Sequence, residues 1–405
     1  APLGFLVTGE YRTILNPRPS AVQLYKPTDA AQDEIHADPL FTDGVNPGVF
    51  KKAEFLTEED FEEIDYQRNV AAKRAVLNGK FDIKVNELAA LAVGGTFDRA
   101  VSNQDVRSQR GAFQLYNYAN NPQQITNDVR AYVRYTQRFA NAEVKEGEED
   151  NSLVKNAFFS LQADFSRRTF VYQDENHEDN FFNYGYVGKF EAVTEPSYSF
   201  ETNNGRGILL DDGRYYIGDF LTAFNSPIAY NYTPGNVNPL LANYTSSFYK
   251  YRDQFPEFYD TREDVEGFGG LVNGSTIPNN VYNLWSHPGS VIDFYQKSER
   301  DQYRLSGMGS ADIGDHAIML GFEYEQRVSS VYSLQPMGLW QLGRGTVNNH
   351  ISEIDSSNYT IVQASSYPEI TFERAYAGNA RTYFAYNMRR ALGLDPNGTD
   401  FIDFD

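Results

Sequence analysis

The 405-residue sequence predicts an all-β protein. The expected fold is a portion of an antiparallel transmembrane β-barrel, about nine strands of a larger barrel, with long extracellular loops containing short helices. Three observations predict it. Tyr and Phe occur 29 times each, against 2 Trp and 4 Met, and with 31 Gly they favour strands and turns over helices. Apolar and polar residues alternate with period two over runs longer than most soluble strands. Tight turns alternate with very long connections along the chain, as they do in outer-membrane barrels and rarely do in compact soluble domains.

Each element follows from those patterns. Phe5–Arg12 reads as a first, upward strand. Phe81, Ile83 and Val85 alternate with Lys80, Asp82 and Lys84, and Asn86–Ala90 turns the chain into Leu91–Phe97. Val129, Ala131, Val133 and Tyr135 alternate with Arg130, Tyr132, Arg134 and Thr136, and the run extends to Arg138 and Phe139. Ala157, Phe159, Leu161, Ala163 and Phe165 alternate with Ser160, Gln162 and Asp164. Between these two runs lies a longer acidic turn, Ala140–Ser152. Tyr186–Ala192 is expected to pair with Tyr198–Phe200 through the turn Thr194–Ser197. Gln302–Ile313 reaches Ala317–Arg327 through Gly314-Asp315-His316, and Ile318, Leu320, Phe322 and Tyr324 alternate with Glu323 and Glu325. A soluble sandwich alternates too. Gly307, Gly309 and Ala311 beside large residues on one apolar face suit lipid tails at least as well as a close-packed core. The long connections are Thr13–Asn78, Asp98–Asn127, Asn203–Glu299 and Ser329–Asp405. With an odd strand count and no return strand after Arg327, the sheet is not expected to close on itself; Phe5–Arg12 and Ala317–Arg327 should both be edges.

Helix signals fall only in the long connections. Thr57-Glu58-Glu59-Asp60 is a capping-box pattern opening an acidic helix. Asn379–Leu392 reads as a second helix with Arg389 and Arg390 in its last turn and Gly393 just beyond it. Aromatic clusters at Tyr215-Tyr216, Phe248–Tyr251, Phe255–Tyr259 and around Pro227 (Phe224, Tyr230, Tyr232) read first as small loop cores, and second as stacking platforms for sugars or peptides.

The net charge of −20 argues against nucleic-acid partners, which need a basic footprint. The absence of Cys removes disulfides, thiolate metal sites and Cys nucleophiles. His36, His177, His287, His316 and His350 lack metal-ligand spacing, and no nucleophile elbow, P-loop or dinucleotide fingerprint is present. No catalytic residue, cofactor or metal is therefore expected, and no enzymatic activity. Two acidic clusters have the oxygen-rich composition that Ca²⁺ prefers: Asp395-Pro396-Asn397-Gly398-Thr399-Asp400, and Asp174-Glu175 with Glu178-Asp179. A solvated polar loop is the plainer reading of both. Sequons at Asn231, Asn243, Asn273, Asn358 and Asn397 are chance matches in an Asn- and Thr-rich chain unless the host glycosylates. Ala1-Pro2-Leu3-Gly4 has no basic or apolar leader pattern, so any signal peptide is already gone or the sequence starts within a longer protein.

Several stretches resemble large TonB-dependent outer-membrane receptors. They are Gly4–Tyr11 with Pro17–Val22, Gly79–Ile83 with Val93-Gly94-Gly95, Phe165–Phe190, which is the most specific of them, and the hairpin Asp312–His316 with Leu320–Tyr324. Such receptors combine an N-terminal plug with a barrel of roughly 22 strands, often behind a carboxypeptidase-like extension. The resemblance covers the first part of that barrel only; the plug, the TonB-contacting box and the later strands have no counterpart here. It implies a bacterial outer-membrane location, ligand capture by the extracellular loops, and import driven by the TonB energy-coupling complex through a plug that this chain lacks. A surface lipoprotein is a further expected partner, besides outer-membrane lipid. Arg130, Arg134, Arg138, Gln162, Asp164, Glu323 and Glu325 would line the lumen or touch the plug. The ligand is not legible. The alternatives are a non-transporting barrel of a surface or secretion assembly, and a soluble secreted β-rich enzyme acting on polysaccharide.

Overall fold

The computed structural model describes residues 3–45, 48–103, 115–139, 153–201, 208–209, 215–216, 220–251, 254–256, 258, 261–278, 284–351, 354–363, 368–374, 380–396, 398 and 400–405. Strands account for 48% of the chain and helices for 20%, so it is mainly β. The long strands are β1 (Leu3–Ile14), β2 (Ala72–Lys84), β3 (Ala89–Asn103), β4 (Gln123–Arg138), β5 (Val154–Gln173), β6 (Gly188–Glu201), β7 (Phe220–Pro234), β8 (Tyr295–Ile313), β9 (His316–Leu334), β10 (Ile354–Gln363) and β11 (Pro368–Arg374). The helices are α1 (Asp29–Ala37), α2 (Pro239–Tyr251), α3 (Arg262–Gly267), α4 (Met337–Thr346) and α5 (Ala380–Leu392).

The chain forms two units. The first comprises Ala1–Lys26, Glu63–Asp179 and Phe294–Leu334. It is built on one seven-stranded sheet in the order β1-β2-β3-β4-β5-β8-β9. Every neighbouring pair in it is antiparallel. β2 and β3 are joined by Val85–Leu88, and β8 and β9 by Gly314-Asp315, where Gly314 takes φ 59°. That left-handed turn is open to Gly at little cost and matches the right-handed twist of the flanking strands. At the opposite end, residues 15–71, 104–122 and 174–294 separate consecutive sheet strands. β1 pairs only with β2, and β9 only with β8, among the described residues.

The strand count is therefore seven in this sheet, not about nine, and one expectation is corrected. Tyr186–Ala192 and Tyr198–Phe200 are not two arms of a hairpin. Gly188–Ala192 and Tyr198–Phe200 lie on one continuous strand, β6, which Tyr186 and Val187 precede and whose partner is β7 in a separate four-stranded sheet ordered β6-β7-β11-β10. Thr194–Ser197 looked like a turn because of Glu195-Pro196. The local irregularity is instead a register shift between Val193 and Thr194, and Pro196 is tolerated because β6 is an edge strand. The acidic turn Ala140–Ser152 lies outside the described residues.

The second unit comprises Pro27–Glu62, Asn180–Asp293 and Gln335–Asp405. Its core contains Leu40, Phe190, Tyr230, Leu241, Tyr244, Phe248, Leu271 and Met337. Tyr230 and Tyr232 near Pro227, and Phe248, Tyr249 and Tyr251, thus serve as interior, while the side chain of Phe224 lies outside what is described. Tyr232 stacks on Tyr249 with centroids 4.9 Å apart, and its single hydroxyl proton is shared between the carbonyls of Val187, at 3.0 Å, and Ala242, at 3.1 Å. The Thr57 capping box forms, but around a single 3-10 turn, Glu58–Asp60, because the chain continues as a short strand at Phe61–Ile64. α5 follows the expected span from Ala380, and Gly393 ends it at φ 72°.

Asn273 pins the entry of β6. Its side chain is fully buried; Oδ1 accepts from Val187 N–H at 2.8 Å and from Gly188 N–H, and Nδ2 donates to the Gly188 carbonyl at 2.8 Å. Asn273→Leu leaves those backbone groups buried without partners, and the expected loss is about 2–4 kcal/mol. A urea titration followed by tryptophan fluorescence, which reports Trp285 and Trp340 of this unit, measures it.

Candidate functional site

Antiparallel register assigns each strand residue to one of two faces. On one face of the large sheet, β1 contributes Phe5 and Val7, β2 Leu77 and Phe81, β3 Val93 and Phe97, β4 Val129 and Val133, β5 Leu161 and Phe165, β8 Tyr303 and Leu305, and β9 Leu320 and Phe322. These side chains are not covered by protein: Phe5 and Leu320 are each 75% exposed. The apolar stretch is about nine residues per strand, the length a tilted strand needs to cross a bilayer. It ends in polar ladders at the long-connection end, where Arg167 grips Asp301 through two 2.7 Å hydrogen bonds and Arg99 donates to Asn127. The boundary drifts across the register. The row Gly9–Leu77–Phe97–Val129 is apolar, and it continues on the next two strands as Arg167 and Asp301.

The other face is polar, and here the expected residues come together. Arg130, Arg134, Arg138, Gln162, Asp164, Glu323 and Glu325 all project from it: Arg134 stands opposite Gln162, Asp164 opposite Arg304, and Arg304 opposite Glu325. Arg130 and Asp164 border a groove of about 660 Å³. Lys80 and Tyr132, which the alternation already placed among polar positions, line it too; sequence reading missed its other charged walls, Asp128, Arg168, Arg300 and Arg304, together with Gln302. A signal for them existed. Arg300, Gln302 and Arg304 recur every second residue, and Arg167-Arg168 places one guanidinium on each face. Arg304 Nε meets Asp164 Oδ2 at 3.2 Å, and its Nη1 lies 3.8 Å from Glu323. Gln302 donates to Glu325 at 2.7 Å. The ring of Tyr132 lies over Gly94, where a Cβ would meet it at 2.7 Å, so a larger residue there would push the ring aside.

The acidic clusters are not vacant oxygen cages. Arg389, with no exposed surface, reaches into the loop Asp395–Asp400 and donates to the carbonyls of Asp395 and Asp400, each at 2.7 Å. Asn397 lies outside the described residues. The cation this loop encloses is the chain's own guanidinium. In the second cluster, Asp174 Oδ1 accepts from the backbone N–H groups of Asn176 and His177, closing a turn, and Glu175 accepts from Asn103. Burial pushes the Asp174 carboxyl above its usual range. Among the described residues no three His, Asp or Glu side chains converge as a metal group.

No family model, curated protein or solved structure matches this chain.

His287 carries the clearest titration in the second unit. Its ring packs edge-on against Tyr244 at 5.1 Å, and Nδ1 lies 3.2 Å from the Pro288 carbonyl. Burial pushes its pKa down to about 4, with nearby Lys51 and His36 acting in the same direction. The unfolded chain therefore binds this proton from about pH 6.5 downward while the folded unit resists it. The contribution of neutral His287 is fully present above pH 6.5 and is lost as pH falls toward 4, by about 3 kcal/mol at most. Urea midpoints of wild type and His287→Gln, compared between pH 7 and pH 4, should converge by a comparable amount.

Proposed function

We propose that this chain is a sector of a TonB-dependent outer-membrane transporter: strands that cross the bilayer, with connections that capture a ligand outside the cell. The observation that carries the reading is the uncovered apolar belt. A contiguous apolar face far larger than a monomer normally leaves to water needs an apolar medium. A level slab of lipid crosses tilted strands obliquely, and this accounts for the drift of the belt across the register. The opposite face, lined with Arg, Asp, Gln and Glu, suits a water-filled or plugged interior. Long connections on one side and tight turns on the other fit extracellular loops and periplasmic turns. Inside a bilayer each open edge would strand backbone groups at several kcal/mol apiece, so β1 and β9 require further strands as partners. The transported ligand, the TonB coupling and any lipoprotein partner belong to the same proposal by resemblance.

Two experiments test it. Leu320→Arg should destabilise the sheet in lipid by about 2–4 kcal/mol, whereas Arg at Glu323, one face over, should cost much less. Equal tolerance of both in a bilayer folding assay rejects the assignment of faces. Protease added to intact cells should cut within residues 15–71, 174–294 or 335–405 and spare Gly314–His316. The reverse pattern inverts the topology.

A further inference from the structure

We propose that the polar groove of the large sheet is a binding site for a small polyanion, a molecule bearing at least two carboxylate or phosphate groups. The argument begins with register. Arg168 on β5 and Arg300 on β8 are direct cross-strand partners on the polar face. Like charges placed opposite one another destabilise a sheet, and an anion between them turns that repulsion into attraction. Local carboxylates meet the need only in part: Asp98 acts on Arg130 and Arg168 through space, but its hydrogen bonds go to Arg74. Asp128 stands opposite Arg168 on the other side, but its oxygen is 3.9 Å away, beyond hydrogen-bonding distance. The side-chain hydrogen bond of Arg300 goes to the Ser329 hydroxyl at 3.3 Å. Arg130, one row along on β4, has no carboxylate within ion-pair distance among the described residues. The neighbouring cations are taken: Arg304 is held by Asp164, and Arg327 by Glu325. Three guanidinium groups on three adjacent strands thus face one groove without a hydrogen-bonded counter-charge, in a chain whose net charge is −20.

The spacing sets the ligand class. Neighbouring strands lie about 4.8 Å apart, so the three guanidinium bases span about 10 Å across β4, β5 and β8. One carboxylate cannot bridge them; two or three oxyanion groups on one molecule can, each taking the forked donors of an arginine. The groove volume of about 660 Å³ lies within the usual range for small-molecule sites. The inference goes beyond the transport reading and stands on the polar face alone.

The test uses the purified chain in an uncharged maltoside detergent at fixed ionic strength, titrated calorimetrically with pyrophosphate and with citrate. At least one of the two should bind saturably with one site per chain. Arg168→Gln and Arg300→Gln should each weaken that binding about tenfold, the scale of one lost charge-assisted hydrogen bond. Arg99→Gln, on the opposite face, removes the same charge and should leave it unchanged. Without anion, Arg300→Gln should be at least as stable to urea as wild type, because it relieves the Arg168 contact. This control also establishes that the variant folds. No saturable binding of either probe overturns the proposal, and so does an equal loss in Arg99→Gln, which would mean diffuse charge. Failure of the belt to enter lipid would reject the transport reading and leave this result standing.

Discussion

Everything in the large sheet depends on one constraint, the unbroken two-residue alternation of side chains held in a single register over seven strands. A slip of one residue between any two strands would carry lipid-type side chains to the charged face, and charged ones to the apolar face. The hairpin β8–β9 shows how firmly register is held: nineteen consecutive residue pairs run from Tyr295–Leu334 to Ile313–His316 without interruption. Long pairings of this kind also set the order of assembly. The hairpins β2–β3 and β8–β9 join residues close in sequence, whereas β5 meets β8 only after more than a hundred intervening residues have been ordered or set aside. Loop closure of that length is slow, so the β5–β8 seam is the expected last step.

The second unit obeys a different rule. Its three chain segments have no shared periodicity, and all three contribute to one core, with Leu40 from the first, Phe190 and Leu241 from the second and Met337 from the third. Packing among them is supplied by bulky aromatics, and the polar groups at the junctions are satisfied one by one. Tyr232 supplies a hydroxyl to two carbonyls, Asn238 donates to the carbonyls of Asn183 and Tyr186, and Asn243 bonds the carbonyls of His36 and Ala37. Such a unit tolerates little substitution at its Asn and Tyr positions and much on its surface.

These two rules explain what was legible. In the sheet, period two is strong enough that the faces of Arg130, Asp164, Leu320 and Glu323 follow from the sequence alone. The tight turns at Asn86 and Gly314 follow from turn chemistry. What escaped was the reach of the strands: β2 begins at Ala72 and β5 runs to Gln173, because the outer ends of these strands mix apolar and polar residues without period two, as in Ala72-Lys73-Arg74-Ala75-Val76 and Arg167-Arg168-Thr169-Phe170-Val171-Tyr172. Glu195-Pro196 was taken for a turn because an edge strand is allowed what a central strand is not. α1, α2 and α4 were not anticipated. Their apolar residues answer to partners far away in the chain, and a weakly amphipathic nine- to thirteen-residue segment carries little signal by itself. The groove was half legible: alternation names the residues on its face, but only pairing tells that Arg168 stands opposite Arg300.

The burial of Asn273 bears on how this protein can be produced. Asn273-Gly274-Ser275 is an N-glycosylation sequon, and in a secretory pathway that modifies nascent chains the sugar is attached before folding is complete. Here the side-chain amide must enter the interior and bridge Val187 to Gly188. A glycan on that nitrogen can neither be buried nor leave the donor free. A eukaryotic secretory host would therefore yield two populations. Chains that escaped modification would fold, while glycosylated chains would be unable to seat the start of β6 and would be retained by quality control. Bacterial expression, or a Ser275→Ala substitution that abolishes the sequon and keeps Asn273, avoids the trap.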